Sequence, residues 1–315
     1  MSVLGFSNPA NRTAHPCRYA PRPMKVLRDQ SSCPRPLEGS AVTIGAYDGV
    51  HLGHQAVIAE VRRRAEARGL ASAVVTFDRH PAAVVRPESA PRLLTDLDQK
   101  LELLGATGLD YGLVITFDAE RSRESAEDFV REVLVTCLNA RIVVVGEDFH
   151  FGHKRAGNVT LLTELGQALG FEVDGVDLVD TSGRPARVRD QVSSTRIRQA
   201  LAGGDLDTAT ALLGRPHEVR GRVTGPGIAV PADILLPAAG AYGGWYEEPD
   251  GSVHPAVLEV PDAGSAVVVE VLDTTTDPDD DAPGEAAGGP AKARFVGRLH
   301  GDDHWDEARR LLDKP

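Results

Sequence analysis

Residues 41–54 read AVTIGAYDGVHLGH, a β-branched run followed by a glycine-rich turn and a pair of histidines. The run predicts a strand over Ala41–Tyr47, and the amphipathic stretch that comes next predicts a helix over Gln55–Arg68. A glycine turn between a strand and a helix is typical of an anion site, because free N–H groups and the positive end of the helix dipole meet there. The stretch therefore predicts an α/β sheet with a phosphate-binding turn.

The same rhythm of strand and helix continues along residues 24–215. The clearest helix is predicted over Ser125–Asn139, where Ser125 caps the first turn and an apolar stripe buries Cys137. The further strands are predicted over Ala71–Phe77, Tyr111–Phe117, Arg141–Phe149 and Phe171–Asp180. Strict alternation of this kind predicts a doubly wound parallel sheet that binds ligands at the carboxyl ends of its strands.

After Gly214-Arg215-Pro216 the pattern changes to β-type runs without intervening helices. Residues 216–315 therefore predict a small antiparallel β-barrel with a C-terminal helix over Trp305–Leu312. Its strands are predicted over Glu218–Thr224, Ile234–Tyr246, Val253–Val260, Ala266–Leu272 and Lys292–Leu299. Residues 274–290 predict a mobile acidic loop, because a stretch rich in Asp, Pro, Gly and Ala buries little apolar area. Residues 1–23 predict a disordered extension, because they contain four prolines and no periodic pattern.

Charge and cysteine content narrow the possible partners and the compartment. The chain has 34 Lys and Arg against 46 Asp and Glu, a net charge of −12, which predicts no nucleic-acid partner. No apolar run approaches the roughly 18 residues that a membrane span needs. Cys17, Cys33 and Cys137 lack metal-ligand spacing and are too few for a disulfide framework, and no signal peptide is apparent. These features predict a cytoplasmic protein.

The histidine pair of the turn is the first candidate site. Gly49 and Gly53 allow the backbone to approach a ligand closely, and His51 and His54 offer donors to a triphosphate beside the first helical turn. Taken alone, the two histidines also fit ordinary loop and helix-start residues. A metal pair is a second alternative, but no third ligand lies at a useful spacing, so no resident metal is predicted.

A second candidate element is Val192–Arg198, which opens a helix predicted to run to Ala202. Hydroxyl side chains at a helix start, followed one turn later by an arginine, are typical of a phosphate-binding cradle. Taken alone, the element also fits a plain Ser/Thr cap with a solvated arginine. Two such elements in one α/β domain favour a nucleotide site.

This pair of motifs resembles the nucleotidylyltransferase superfamily marked by His-x-Gly-His and Ser-Ser-Thr-x-x-Arg. More narrowly, the chain resembles the bacterial bifunctional riboflavin kinase/FMN adenylyltransferases, also called FAD synthetases. The supporting segments are Met24–Asp29, Gly45–His54, Thr76–Pro81, Leu94-Thr95 with Lys100–Leu104, Val145–Gly152, Arg155–Asn158 and Leu213–Pro216. The resemblance implies transfer of AMP from ATP to FMN, giving FAD and pyrophosphate, with Mg²⁺ as cofactor and small-molecule nucleotides and flavins as partners.

The resemblance also implies roles for individual residues. The catalytic residues would be His51, His54 and Arg198. The nucleotide-binding residues would be Gly45, Tyr47, Asp48, Gly49, Gly53, Ser193, Ser194 and Thr195. The residues around FMN would be Phe77, His80, Pro81, Asp148 and Phe149, although the two phenylalanines also fit simple packing at strand ends. The chain has Ala46-Tyr47 where the family usually has Asn-Phe, so a polar contact near the nucleotide is missing.

The predicted barrel departs further from the kinase half of the family. Residues 225–233 are shortened, lack the threonine of the kinase motif and carry Asp233 in place of its asparagine. Val268 stands where the spacing places the kinase glutamate, and Glu270 follows two positions later on the same strand face. We expect riboflavin kinase activity to be absent or very weak.

Two other functions stay open at this point. One is nucleotidyl transfer to a different phosphate or phosphonate acceptor, with CTP as a possible donor. The other is a flavin or nucleotide sensor without catalysis, which the intact His51, His54, Ser194, Thr195 and Arg198 disfavour. The sequence pattern fixes no oligomeric state.

Overall fold

The computed structural model describes residues 23–28, 32–176, 191–262, 264, 266–272, 288–301 and 303–313. Almost all of the extension expected over 1–23 lies outside these ranges, as do most of the acidic loop expected over 274–290 and the end of the strand expected to reach Asp180.

The first part of the chain alternates strands and helices around a parallel sheet. Its strands are β1 (Lys25–Leu27), β2 (Ser40–Ile44), β3 (Ala71–Phe77), β4 (Tyr111–Ile115), β5 (Ala140–Gly146), β6 (His150–Phe151), β7 (Gly157–Asn158) and β8 (Glu172–Val176). Within the described residues, six of them form one sheet in the order β1-β4-β3-β2-β5-β8, with every pair parallel. The strand order reverses beside β2, where such sheets bind ligands. The predicted doubly wound α/β fold is confirmed.

Helices cover both faces of this sheet. The α-helices of this part are α1 (Leu52–Arg68), α2 (Ala82–Val85), α3 (Leu97–Ala106), α4 (Ala126–Phe129), α5 (Val159–Leu169), α6 (Ser194–Ala202) and α7 (Leu206–Leu213). Of these, α6 and α7 pack against the barrel. Val74 and Val144 point to the face covered by α1 and α3, whereas their neighbours Val75 and Val145 point to the face covered by α4 and α5. This alternation explains why the strands are apolar on both faces.

The helix predicted over Ser125–Asn139 forms, but with a change of period. Ser125 caps α4 by accepting a hydrogen bond from the Asp128 backbone N–H at 3.0 Å, and the chain then continues as a π-helix over Val130–Cys137. The predicted burial of Cys137 is confirmed, because its side chain is 1% exposed.

The expectation that the cysteines stay unpaired is wrong for two of them. Cys33 and Cys137 form a disulfide that closes a sequence separation of 104 residues. The packing behind this pairing is local: the backbone N–H of Arg35 donates to the Cys137 carbonyl at 3.1 Å, so the chain before β2 runs against the end of the π-helix. The number and spacing of the cysteines do not reveal this contact between distant segments.

The second part of the chain is a closed barrel. Its strands are β9 (His217–Thr224), β10 (Gly227–Ala229), β11 (Gly240–Glu247), β12 (Val253–Val260), β13 (Ala266–Val271) and β14 (Pro290–Arg298), and helix α8 (His304–Leu312) follows. The strands close in the order β10-β13-β12-β11-β14-β9. The predicted barrel with a C-terminal helix is confirmed. The strand expected from Ile234 is wrong at its start, because β11 begins at Gly240 and Ile234 instead pairs with Leu93 of the first part.

The two parts share one hydrophobic core. From the first part it contains Leu94, Ile197, Leu201, Leu206, Leu212 and Leu213, and from the barrel Val219, Ile228, Ile234, Tyr242, Leu258 and Phe295. All of these side chains are less than a tenth exposed. Burial at this junction therefore stabilises the barrel and helices α6 and α7 together.

Candidate active site

The turn between β2 and α1 has an unusual backbone. Tyr47, Gly49 and Val50 all have positive φ angles, 51°, 83° and 39°. A β-branched residue such as Val50 rarely adopts this conformation, and strained backbone of this kind is concentrated at functional sites. Arg215 stabilises this turn, because its guanidinium donates to the Gly49 carbonyl at 2.7 Å.

The glycines of the turn lie where a side chain would be in close contact with its neighbours. A Cβ added to Gly49 would lie 2.9 Å from Leu94 Cδ1, and one added to Gly53 would lie 3.1 Å from the Val192 carbonyl oxygen. At Gly45 the added atom would lie 3.0 Å from the ring of Tyr47. Tyr47 is itself buried and shares a 2.7 Å hydrogen bond with Thr43, so its ring lines the strand end.

His51 is the N-cap of α1, and its Nδ1 accepts a hydrogen bond from the His54 backbone N–H at 3.3 Å. Since Nδ1 is an acceptor, the proton of the neutral ring lies on Nε2. Burial lowers the pKa of His51 to about 3, and the positive charges of Arg215 and Arg198 act in the same direction. At neutral pH His51 is therefore an uncharged donor.

His54 stacks on His51, with ring centroids 3.6 Å apart and an interplanar angle of 15°. Burial lowers the pKa of His54 well below its usual value, and the nearby His51 and Lys100 lower it further. Its Nδ1 is buried and has no hydrogen-bond partner among the described residues. An unpaired buried nitrogen in a turn of this kind fits a group whose partner is a ligand.

Asp48 joins the turn to the rest of the site. Its carboxylate accepts hydrogen bonds from the backbone N–H groups of Leu94 (2.9 Å) and Thr95 (3.2 Å) and forms an ion pair with Arg198. Burial raises the pKa of Asp48, and the Arg198 charge and the two backbone donors oppose that rise. With these partners we take the carboxylate to be ionised at neutral pH.

Helix α6 brings the second predicted element to the same place. Ser193 is its N-cap and accepts from the Arg196 backbone N–H at 3.4 Å, while the Ser194 hydroxyl donates to the Asp48 carbonyl at 3.0 Å. Thr195 is exposed in the first turn. Arg198 donates through Nε to the Arg92 carbonyl at 2.7 Å and keeps 17% of its side chain exposed. The positive end of α6 and the start of α1 thus meet at Asp48.

Lys100 also lies at this site. No motif predicted a role for it, although it belongs to a segment that carries the family resemblance. Its ammonium donates to the carbonyl of Phe77, the last residue of β3, at 2.7 Å. It also donates to the carbonyl of Ala46, just after the neighbouring strand β2, at 3.3 Å. Burial lowers the pKa of Lys100 to about 8, whereas Asp48 and Asp78 raise it. Its signal was a position on the apolar side of α3, three residues after Leu97 and four before Leu104. Arg215 was missed in the same way.

Three of the predicted FMN residues follow β3. Phe77 packs edge-on against Phe117 at 5.3 Å, and His80 accepts the Ala82 backbone N–H on Nδ1 at 3.1 Å. Burial lowers the pKa of His80 to about 4, and the charges of Arg198 and Lys100 add to that effect. Pro81 is half-buried at the start of α2. Asp48, His80 and Lys100 also line one small pocket.

The other two predicted FMN residues follow β5, on the opposite side of β2. Asp148 is exposed, and Phe149 stacks on Phe151 of the β6–β7 hairpin with centroids 5.3 Å apart. Among the described residues, neither side chain forms a hydrogen bond or ring contact with residues 45–54, the histidine turn. Both segments nevertheless lie at the carboxyl edge of the sheet, because β3 and β5 are the two neighbours of β2.

The described residues at this site offer no ready set of ligands for a resident metal. Within the described ranges no cluster of three His, Cys, Asp or Glu side chains is arranged to hold an ion. Asp48, the carboxylate at the junction of the turn and α6, already has its oxygens engaged by Leu94, Thr95 and Arg198. None of the helices in the described part of the chain has the length and apolarity to cross a bilayer.

Several bacterial proteins have sequences similar to this chain. Two similar proteins, from Pseudomonas fluorescens and Escherichia coli strain K12, are 38% and 36% identical over 200 and 201 residues. A third, from Buchnera aphidicola of Schizaphis graminum, is 33% identical over 200 residues. All three are called bifunctional riboflavin kinase/FMN adenylyltransferase. Each match covers 64% of this chain and spans 62% of the relative's own length.

A solved structure resembles the fold over most of the chain. It is described as a macrolide-efflux protein from Streptococcus pneumoniae, with a TM-score of 0.70 and 22% identity over 91% of this chain and 95% of the other. At this identity the likeness shows the fold alone. The FAD synthetase family matches residues 33–196, which is more than half of the 315 residues. The chain therefore belongs to the FAD synthetase family.

Proposed function

We propose that the chain is an FMN adenylyltransferase, which transfers AMP from ATP to FMN and releases FAD and pyrophosphate. The observation that carries this proposal is the junction at Asp48, where the histidine turn meets helix α6 through the Arg198 ion pair and the Ser194 hydrogen bond. Two phosphate-binding elements that meet at one point suit a single triphosphate. Family membership and the names of the relatives support FMN as the acceptor.

The proposed reaction is a direct displacement at phosphorus. An oxygen of the FMN phosphate forms a bond to the α-phosphorus of ATP, and the bond from that phosphorus to the oxygen bridging to the β-phosphate breaks. The bridging oxygen keeps the electron pair and leaves with pyrophosphate. The attacking oxygen is already deprotonated at neutral pH, so the chain needs to position two anions and stabilise charge on the leaving group.

The histidines supply uncharged donors for this task. His51 has its proton on Nε2, because its Nδ1 accepts the His54 N–H. Stacked neutral imidazoles can lie 3.6 Å apart, whereas two imidazolium rings would repel each other. A bound triphosphate raises the pKa of both rings, since opposite charge favours the protonated form. The two histidines would therefore become stronger hydrogen-bond donors to the negative charge that builds on the leaving pyrophosphate.

Helix α6 provides the fixed positive charge. The Ser194 and Thr195 N–H groups and the exposed Thr195 hydroxyl would reach phosphate oxygens at this helix start, whereas the Arg196 N–H already donates to Ser193. The Asp48 carboxylate and the Arg92 carbonyl hold the partly exposed guanidinium of Arg198 in place. Arginine suits phosphate recognition because its planar group donates in pairs.

The acceptor side of the proposal uses the segments after β3 and β5. Phe77, His80 and Pro81 on one side, with Asp148 and Phe149 on the other, would hold FMN across the carboxyl edge beside β2. Mg²⁺ would arrive as part of the MgATP substrate, which fits a site without a protein cage for the ion. A cytoplasmic location follows from the need for ATP and belongs to this proposal.

We also propose that residues 24–215 carry the transfer and that the barrel of residues 216–315 lacks riboflavin kinase activity. Val268, at the position expected for the kinase glutamate, is 38% exposed and pairs with Gly227. Glu270 is exposed on the same outer face of β13, while Val267 packs inward. The carboxylate is therefore displaced from the expected position along the strand.

The experiment is to incubate the purified chain with MgATP and either FMN or riboflavin, and to separate the flavins by chromatography. FAD from FMN and no product from riboflavin would support both parts of the proposal. FMN formed from riboflavin at a comparable rate would overturn the loss of kinase activity. If FMN is not consumed, the same assay with CTP, or with other phosphate acceptors, tests the alternative suggested by Ala46.

A further inference from the structure

The segment Arg92–Thr95 lies between the barrel and the transfer site and makes hydrogen bonds to both. On the site side, the Arg92 carbonyl accepts from Arg198 at 2.7 Å, and the Leu94 and Thr95 N–H groups donate to Asp48 at 2.9 and 3.2 Å. The Thr95 hydroxyl also accepts the Gly49 N–H at 3.1 Å. This segment therefore holds the ion pair at the centre of the site.

On the barrel side, Leu93 uses both of its backbone groups. Its N–H donates to the Asp233 carbonyl at 2.7 Å, and its carbonyl accepts from the Leu235 N–H at 2.8 Å, so that Leu93 and Ile234 form a parallel β-bridge. Neighbouring residues of a strand direct their hydrogen-bonding groups to opposite sides. The segment thus behaves as a short strand with the barrel on one side and Asp48 and Arg198 on the other.

Helix α3, which follows directly, makes a second connection of the same kind. Its Glu102 accepts two hydrogen bonds from Arg220 of β9, at 2.9 and 2.6 Å, and its Gln99 donates to the Glu218 carbonyl at 3.2 Å. Between these residues, Lys100 holds the carbonyls of Ala46 and Phe77. Residues 92–102 are therefore fixed to the barrel at both ends and support the site in between.

We propose that the barrel is a positioning part of the nucleotide site: the Asp233–Leu235 segment fixes Leu93 and thereby sets Asp48, Arg198 and the histidine turn for binding the triphosphate. This inference rests on the proposed use of the site for ATP. It gives a role to a barrel that has lost kinase features. Asp233 is the residue that replaces the kinase asparagine, so the altered segment is the one that contacts the transfer site.

The test compares two isoleucines of the hydrophobic cluster that the two parts of the chain share. Ile234 is 5% exposed and pairs with Leu93, whereas Ile228 is fully buried and pairs with Val223 and Val267. Ile234→Ala and Ile228→Ala remove the same atoms from the same hydrophobic cluster. The readout is the dissociation constant of α,β-methylene-ATP measured by titration calorimetry on the full chain, with circular dichroism and thermal melting as checks of folding.

We expect Ile234→Ala to weaken analogue binding by about tenfold or more, because small displacements of positioning groups have large effects. Ile228→Ala should stay within about twofold of the parent. In an Arg198→Ala background the Ile234→Ala change should add little, since it acts through that arginine. If an alanine variant does not fold, Ile234→Val and Ile228→Val make the same comparison.

Equal effects of the two substitutions on analogue binding would overturn the proposal, as would failure of the unmodified chain to bind the analogue. The measurement contains no flavin. Failure of FMN as the acceptor would therefore appear in the chromatographic assay and leave this test intact.

Discussion

Asp48 and Arg198 form a largely buried ion pair although 150 residues separate them in the sequence. The pair joins the turn after β2 to helix α6, so two motifs that are far apart in the sequence form one site. Each partner also has backbone hydrogen bonds to Arg92–Thr95, which fixes the geometry of the pair.

The Asp48 and Arg198 pair gives the first prediction. Asp48→Asn leaves the guanidinium without a countercharge, and removing one member of a buried pair costs about 3 kcal/mol of unfolding free energy. The double variant Asp48→Asn/Arg198→Met should recover most of this stability but no adenylyl transfer. Urea unfolding and the FMN assay measure the two effects. A double variant as unstable as Asp48→Asn, or one that makes FAD, would count against the assignment.

Gly49 provides a prediction with a matched control. Both Gly49 and Gly69 have positive φ angles, 83° and 65°, so alanine at either position costs about 1 kcal/mol. A Cβ at Gly49 also meets Leu94 at 2.9 Å, whereas one at Gly69 has no heavy atom within 4 Å. We expect Gly49→Ala to weaken binding of an ATP analogue strongly and Gly69→Ala to leave it unchanged. Equal binding by the two variants would show that the turn does not contact the nucleotide.

Lys100 predicts a pH dependence. Its pKa, lowered to about 8, means that the ammonium is charged below that pH and neutral above it. As the pH rises through about 8, Lys100 loses its charge, and its hydrogen bonds to the Ala46 and Phe77 carbonyls weaken. We therefore expect kcat/KM for ATP to fall on the alkaline side, since this ratio reports the free enzyme.

The control for this profile is Lys292→Met on the barrel, where the lysine pairs with Glu247. Lys100→Met should reduce kcat/KM and remove the alkaline limb, and Lys100→Arg should restore part of the rate. If Lys100→Met keeps the limb, another group is responsible for it.

The disulfide predicts an effect on stability without one on chemistry. Cys33 and Cys137 lie next to the amino-terminal ends of β2 and β5, at the edge of the sheet opposite the site. Cross-linking a loop of about 100 residues stabilises a protein by about 5 kcal/mol in the chain-entropy account. Cys33→Ser or reduction should lower the melting temperature and leave the KM for ATP unchanged, with Cys17→Ser as control. An unchanged melting temperature would contradict the pairing.

The fold was largely predictable because its signals are local. β-branched runs, the Ser125 cap and the apolar stripe ending near Cys137 each lie within a few residues, and the structure has the corresponding elements. The failures involve contacts between distant segments. Ile234 reads as a strand residue, yet it leaves the barrel to pair with Leu93, and Cys33 gives no local sign that it approaches Cys137.

The site shows the same division between local and distant information. His51, Ser193 and Arg198 could be singled out because each belongs to a short motif at a helix start. Lys100 and Arg215 could not be assigned a role, because their task is to hold backbone carbonyls of other segments. Such contacts depend on strand order and on how α3 and the barrel pack, which no short window of sequence contains.

The most direct test of the central claim follows the α-phosphate. The chain is incubated with FMN and MgATP labelled at the α-phosphorus or, separately, at the γ-phosphorus, and the products are separated. We expect the α-label to appear in FAD, the γ-label to appear in pyrophosphate, and Arg198→Ala to abolish both. Release of labelled inorganic phosphate from γ-labelled ATP, with no α-label in FAD, would contradict adenylyl transfer at this site.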